Sequence, residues 1–231
     1  LTLAFNRLLL RLEETFATQR QFSANAAHEL RTPLAVMSTK FEVFEKNKNP
    51  DEADYKEAIN MARNQTDRLS HVIDILLEMT ELQSAPKGDK ISLSEITEEV
   101  ICDLVAVADK KHISLIQEDC EARLTGSDTL VYRAIYNLIE NAIKYNKEGG
   151  TVSVAIAEDD SFAKVIITDT GSGIAKEDWD KIFEPFFRVD KSRSRSMGGA
   201  GLGLALVKEI AVRHGGDVKG IESSNKGSSI E

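Results

Sequence analysis

The sequence predicts an α+β chain in two parts: a long helical hairpin, then a domain with helices on one face of a sheet. Three observations predict it. Residues 1–82 place apolar side chains at alternating spacings of three and four, with a single break. Beyond a short polar stretch the pattern changes to period-two runs interleaved with short helical ones. Of the 231 residues, 42% are hydrophobic and 29% charged, which excludes disordered, collagen-like and membrane-spanning chains.

The first helical seam is Ala27, Leu30, Leu34, Met37, Phe41 and Phe44, and the second is Tyr55, Ile59, Ala62, Thr66, Leu69, Ile73 and Leu76. Both are heptad-like. Asn47-Lys48-Asn49-Pro50-Asp51 breaks the run, with Pro50 suited to a first helical position. One hairpin has too few partners to cover both seams, so two copies forming a four-helix bundle is the economical solution. A purely structural coiled coil would carry the same seams.

Gln83–Lys90 holds Ser, Pro and Gly and reads as a linker. Ser92-Leu93-Ser94-Glu95 is a capping box that opens a helix to Ala108. His112–Gln117 reads as a strand, and Ser127 as the cap of a helix from Asp128 to about Tyr145, closed by Gly149-Gly150. Thr151–Ala157 and Phe162–Thr168 alternate as strands about a turn at Asp159-Asp160. Then come a short helix at Lys176–Ile182, a basic loop from Arg188 to Gly199, a helix from Leu202 to His214 and a strand at Asp217–Glu222. Gly227–Glu231 reads as the opening of one more strand, cut off, and the first residues begin mid-helix. The expectation is therefore an excerpt of a longer protein whose preceding part holds a membrane anchor.

Lys and Arg number 29 against 38 Asp and Glu, a net charge of −9. Such a surface repels nucleic acid and anionic membranes. No apolar run reaches the roughly 20 residues that span a bilayer. Cys102 and Cys120 make neither a disulfide framework nor a zinc site, which fits a reduced, cytoplasmic setting.

Several constellations can carry chemistry. His28 and Glu29 flank the first seam, and Thr32 lies one turn on, sharing the histidine's face. Pro33 lacks an N–H and loosens the helix at that point. A neutral imidazole is a competent nucleophile, and a neighbouring carboxylate can fix its tautomer and take its proton. A surface histidine beside a helix carboxylate is the plain alternative, and His71, His112 and His214 are read that way. Asn137 and Asn141 share a helix face, followed by Lys144 and Tyr145. They form either a polar surface or an amide ligand for Mg2+, an ammonium for phosphate and a ring to stack on a nucleoside.

Asp169-Thr170-Gly171-Ser172-Gly173 follows an apolar strand. Its carboxylate can accept from an exocyclic amine and its glycines allow close approach, or it is an ordinary turn. Phe183-Glu184-Pro185-Phe186-Phe187-Arg188 sets aromatics beside the basic loop, as lid anchors or as core. Gly198-Gly199-Ala200-Gly201-Leu202-Gly203 opens a helix with exposed N–H groups suited to an anion. It lacks the lysine of a P-loop. Lys191, Arg193 and Arg195 either gather on phosphates or form a solvated loop.

Taken in order, these stretches resemble the cytoplasmic kinase portion of bacterial two-component sensor histidine kinases. Phe22–Leu34 resembles the phospho-acceptor box, Asn137–Asn146 the N box, Asp169–Ile174 and Gly199–Leu204 the two glycine boxes, and Phe183–Arg188 the F box. Leu3–Glu13 resembles, less specifically, the end of a HAMP relay module.

The resemblance implies residues 1–18 as the end of that module, 19–84 as a dimerisation and phosphotransfer domain, 85–91 as a linker, and 92–231 as an ATP-binding domain of the Bergerat type, an α/β sandwich. It implies ATP and Mg2+ as cofactors, a homodimer, and a response regulator receiver domain as partner. The setting would be the cytoplasmic portion of a bacterial inner-membrane protein.

By the same resemblance, His28 attacks the γ-phosphate with Glu29 as acid/base partner, and Thr32 positions a water for dephosphorylating the regulator. Asn141 holds Mg2+ and Asn137 assists. Lys144 contacts phosphate and Tyr145 the nucleoside, while Asp169 binds the adenine amine between Gly171 and Gly173. Gly199, Gly201 and Gly203 cradle phosphates, and Arg188 meets the γ-phosphate. Ala200 stands where many members carry Thr or Ser. Two other classes fit the ATP fold, a GHKL-type ATPase (gyrase, Hsp90, MutL) and a catalytically silent scaffold. The ATPases use a Glu where Asn137 stands.

Overall fold

The computed structural model describes residues 2–82, 85–86, 88–118, 121–159, 161–189, 200–224 and 227–231. Its contacts divide the chain into two units, one carrying Leu1–Asp74 and the other most of the chain from Ile75 onward.

The first unit holds the expected hairpin, α1 (Thr2–Lys46) and α2 (Glu52–Glu81) up to Asp74. At roughly 1.5 Å per residue, the 45 residues of α1 reach about 68 Å. The helix continues through Pro33, which is buried. Pro50 falls before the second helix, because Asp51 caps it. The Asp51 carboxylate accepts the Asp54 N–H at 2.8 Å, and the Asp54 carboxylate accepts the Asp51 N–H at 3.2 Å. Phe44 and Tyr55 meet edge to face across the turn, 5.0 Å between ring centroids. Along the seams Leu30, Met37 and Phe44 are half-buried, while Leu34, Phe41, Ile59 and Ile73 stay exposed. A single hairpin covers part of its apolar surface and leaves a stripe in water.

The second unit carries a five-stranded sheet in the order β2 (Ser114–Gln117), β4 (Thr151–Glu158), β5 (Ala163–Asp169), β7 (Gly227–Ile230), β6 (Gly220–Ser224). The β2–β4 pair is parallel and the others antiparallel. A separate ribbon pairs β1 (Asp89–Ser92) with β3 (Arg123–Gly126). Two helices pack with the sheet, α3 (Leu93–Asp109) and α4 (Asp128–Lys144), and α5 (Gly203–Arg213) packs on α4. Period-two alternation in β4 turns Val152, Val154 and Ile156 inward, against Val100 and Leu104 of α3 and Ile135, Ile139 and Ile143 of α4. Burial of these branched side chains is what holds helices to sheet.

Several local expectations are corrected. Strand β1 begins at Asp89, inside the stretch read as linker, and β3 has no counterpart in the sequence reading. Both have four residues, and their order comes from pairing Ile91 opposite Leu124, a non-local contact. The helix expected at Lys176–Ile182 is two three-residue 3-10 turns, Lys176–Asp178 and Lys181–Phe183. The final strand forms as β7 with a neighbour on each side. Ser92 caps α3 through its side chain, with the Glu95 N–H at 3.4 Å. Ser127 opens α4 without a side-chain bond, and its N–H donates instead to Nε2 of His214 at 3.0 Å. That ring is therefore a structural clamp, its Nδ1 2.8 Å from the Ile210 carbonyl.

Candidate functional site

On the first unit, His28 is exposed on α1. Thr32, one turn on, folds its hydroxyl back onto the His28 carbonyl at 2.9 Å. Glu29 points toward α2, where its Oε2 accepts from Nη2 of Arg68 at 2.9 Å. These side chains are only 19% and 10% exposed, so the pair is shielded enough to outweigh an ordinary surface ion pair. Sequence reasoning missed Arg68, because 39 residues separate it from Glu29 and a lone arginine on a polar helix gives no signal.

On the second unit, α4 supplies the predicted amides. Asn137 is buried, its Nδ2 donating to the Arg133 carbonyl at 2.9 Å. Asn141, one turn on, is half-buried. The N-terminus of α5 lies against both. A Cβ placed on Gly203 would sit 2.7 Å from Oδ1 of Asn137 and 3.6 Å from Nδ2 of Asn141. Glycine is required there by the close approach of two helices, with the free N–H groups of α5 brought beside two amides.

Gly201 precedes them at φ +72°, and its carbonyl accepts the Phe186 N–H at 2.7 Å. Phe186 itself takes a positive φ of 67°. A Cβ on Gly201 would come 2.5 Å from the Phe187 carbonyl oxygen, so the F box and the second glycine box are locked together through backbone. Phe183 packs on the core. Gly199 and the basic residues Lys191, Arg193 and Arg195 lie outside the described residues.

Asp169 closes β5 with both oxygens engaged. Oδ1 accepts the Gly171 N–H at 2.7 Å, and Oδ2 accepts the Ser228 hydroxyl of β7 at 2.5 Å. A carboxylate has about four acceptor positions, so room remains for one more donor. Gly171 cannot carry a side chain, since its Cβ would meet the Tyr145 carbonyl at 2.4 Å. Gly173 takes φ +70°. Tyr145 and Lys144 end α4, the Lys144 ammonium 5.7 Å from the Tyr145 ring centroid. Burial pushes the Tyr145 phenol above its ordinary value, and the guanidinium of Arg188 pulls it back, so these two predicted residues share a neighbourhood.

Lys111 and Ser228 were not foreseen. The Lys111 ammonium binds the last carbonyls of α4, 3.2 Å from Ile143 and 2.6 Å from Lys144. The capping chemistry is general, but it comes from another segment. Among the described residues no group of three or more His, Cys, Asp or Glu side chains forms a cluster that could hold a metal ion.

Comparisons with known proteins bear on family and fold. A family model described as histidine kinase-, DNA gyrase B-, and HSP90-like ATPase matches residues 126–231, and one described as His Kinase A (phospho-acceptor) domain matches residues 18–85. The sensor-like histidine kinase SenX3 of Mycolicibacterium smegmatis is 37% identical over 207 residues, 88% of this chain and 54% of that protein. The Acinetobacter baumannii histidine kinase AdeS aligns at a TM-score of 0.67 and 23% identity, over 88% of this chain and 94% of that one. Histidine kinase ThkA, solved in complex with response regulator protein TrrA, aligns at a TM-score of 0.74 and 22% identity, over 94% of this chain and 62% of that one. At those identities the two structures speak to fold. The chain spans about half the length of the curated relatives it matches.

The lock between Gly201 and the F box predicts that Gly201→Ala costs about 1–3 kcal/mol for the left-handed backbone alone. Chemical denaturation checks this, and an unchanged midpoint contradicts it.

Proposed function

The chain belongs to the two-component sensor histidine kinases, and on that premise we propose that it is an ATP-dependent histidine kinase core. It transfers the γ-phosphoryl group of ATP to His28 and passes it to an aspartate of a response regulator receiver domain. The observation that carries the reading is the approach of Gly203 to Asn137 and Asn141, which joins free helix N–H groups to amide donors and acceptors at one place.

The roles are those the family resemblance implies, and the chemistry of the residues suits them. Asp169 retains acceptor capacity for the adenine amine, with Gly171 and Gly173 keeping the turn open to the base. Tyr145 borders the nucleoside, and Lys144 and Arg188 supply positive charge for phosphate oxygens. Gly201 and Gly203 present backbone N–H groups to the phosphates, and the family resemblance assigns Gly199 the same role. Asn141 offers a hard amide oxygen for Mg2+, with Asn137 beside it. When bound among the phosphates, that ion neutralises their charge.

In the transfer, an imidazole nitrogen of His28 forms the N–P bond while the bond to the β–γ bridging oxygen breaks, and ADP leaves with that electron pair. Glu29 is the proposed acceptor of the ring proton, a role that requires its carboxylate to turn from Arg68 toward the imidazole. An ATPase reading lacks its base: Asn137 is an amide, and Glu140 lies near Tyr136, whose phenol is raised by burial first and by Glu140 second. Residues 19–84 are proposed as the dimerisation and phosphotransfer domain, with the linker ending before β1 and the catalytic domain running from Asp89 onward. The exposed stripe of Leu34, Phe41, Ile59 and Ile73 favours a homodimer. Among the described residues no helix is long and apolar enough to cross a membrane. The proposed setting is the cytoplasmic portion of a bacterial inner-membrane protein anchored outside this chain.

Incubation with γ-labelled ATP tests the assignment. His28→Gln is expected to abolish the acid-labile, base-stable label while ADP binding is kept; label persisting on the variant overturns the acceptor role. Thr32 places a water for removing phosphate from the regulator. Thr32→Ala is expected to slow regulator dephosphorylation by about tenfold or more at unchanged self-labelling, and an unaltered rate removes that role.

A further inference from the structure

The end of α4 and the end of β5 are joined by a polar cluster outside the residues assigned so far. Asn146 lies just past Tyr145, and Thr170 just past Asp169. The Thr170 hydroxyl donates to Oδ1 of Asn146 at 3.1 Å and accepts the Thr151 N–H at 2.9 Å. Nδ2 of Asn146 donates to the Thr151 carbonyl at 2.9 Å, and its Oδ1 also accepts the Lys147 N–H at 3.0 Å. Both side chains are half-buried. Gly150 packs over them so tightly that a Cβ there would sit 2.3 Å from Oδ1 of Asn146 and 2.8 Å from Oγ1 of Thr170.

Two further backbone contacts cross the same seam. The Ser172 N–H reaches the Tyr145 carbonyl at 3.4 Å, and the missing side chain of Gly171 lets that carbonyl come close. Each nucleotide-facing residue is thus one covalent step from a member of the cluster. A shift of Asn146 moves Tyr145, and a shift of Thr170 moves Asp169.

We propose that Asn146 and Thr170 are positioning residues for the nucleotide: their hydrogen bond fixes the spacing between the ring of Tyr145 and the carboxylate of Asp169, and so sets how sharply the site tells adenine from other bases. The inference rests on the nucleotide reading given above and adds the source of its base selectivity. Neither residue touches the base. Each acts through its neighbour, with Thr151 as the shared backbone strut.

The test is nucleotide binding by the full chain, measured by calorimetry with ADP and with GDP at a temperature where each variant is folded by circular dichroism. Thr170→Val keeps the shape and removes the hydroxyl, leaving Oδ1 of Asn146 without that donor and the Thr151 N–H without its acceptor. It is expected to weaken ADP binding by about tenfold and to shrink the ADP-to-GDP preference, because the backbone that carries the amine-reading carboxylate loses its tie to Asn146. Thr170→Ser restores the hydroxyl and is expected to restore both values.

A double cycle with Asn146→Ala is expected to be non-additive, since both changes break one bond. An undiminished ADP-to-GDP preference in Thr170→Val overturns the proposal even if affinity or stability falls. Failure of Thr170→Ser to rescue overturns it as well. A wild-type chain that binds no ADP removes the nucleotide reading itself, whereas a wild type that binds with Thr170→Val indistinguishable from it removes only the positioning role.

Discussion

Everything proposed for the second unit depends on how closely two helices can approach at one residue. The N-terminus of α5 comes against α4 at Gly203, where any side chain would press on Asn137. A helix start has N–H groups without internal partners, and a polar helix face has amides able to donate or accept. Neither feature is a site by itself. Brought together with no intervening Cβ, they set polar groups of two helices at one place. The rest of the unit keeps this approach in place: Ile135, Ile139 and Ile143 seat α4 in the core, Lys111 caps its far end, and Val207 anchors α5.

The first unit is governed by a different constraint. Its helices are long and thin, and apolar residues recur on more surface than one antiparallel partner can hide. His28 is placed on the solvent side of that arrangement, while Glu29 beside it is turned inward to Arg68. Neighbouring residues on a helix diverge by about 100°, and this geometry lets one be an accessible nucleophile while the other is held in a shielded ion pair. The proposed nucleophile and the proposed nucleotide residues belong to separate units.

Much of this was legible from the residues alone, for physical reasons. Heptad spacing announced α1 and α2, because long amphipathic helices leave a periodic record. The Ser92 capping box and the alternation of Thr151–Ala157 are local signals of the same kind. What escaped was non-local. Strands β1 and β3 are four residues each and owe their order to one another. The 3-10 turns at 176–183 occupy a stretch whose periodicity fits a helix equally well. At the site, Asn137, Asn141, Asp169 and the glycines could be named from type and spacing. Arg68, Ser228, Lys111 and Thr170 could not, since each acts on a residue distant in sequence. His214 was read as a surface side chain, and its clamp on Ser127 spans 87 positions.

Calorimetry of ADP with Mg2+ on wild type and Gly203→Ala tests the close helix approach most directly. A methyl group there must displace the Asn137 amide. Wild type is expected to bind, and the variant to lose about tenfold or more in affinity with its circular dichroism spectrum unchanged. Equal affinity in the two proteins would contradict this expectation.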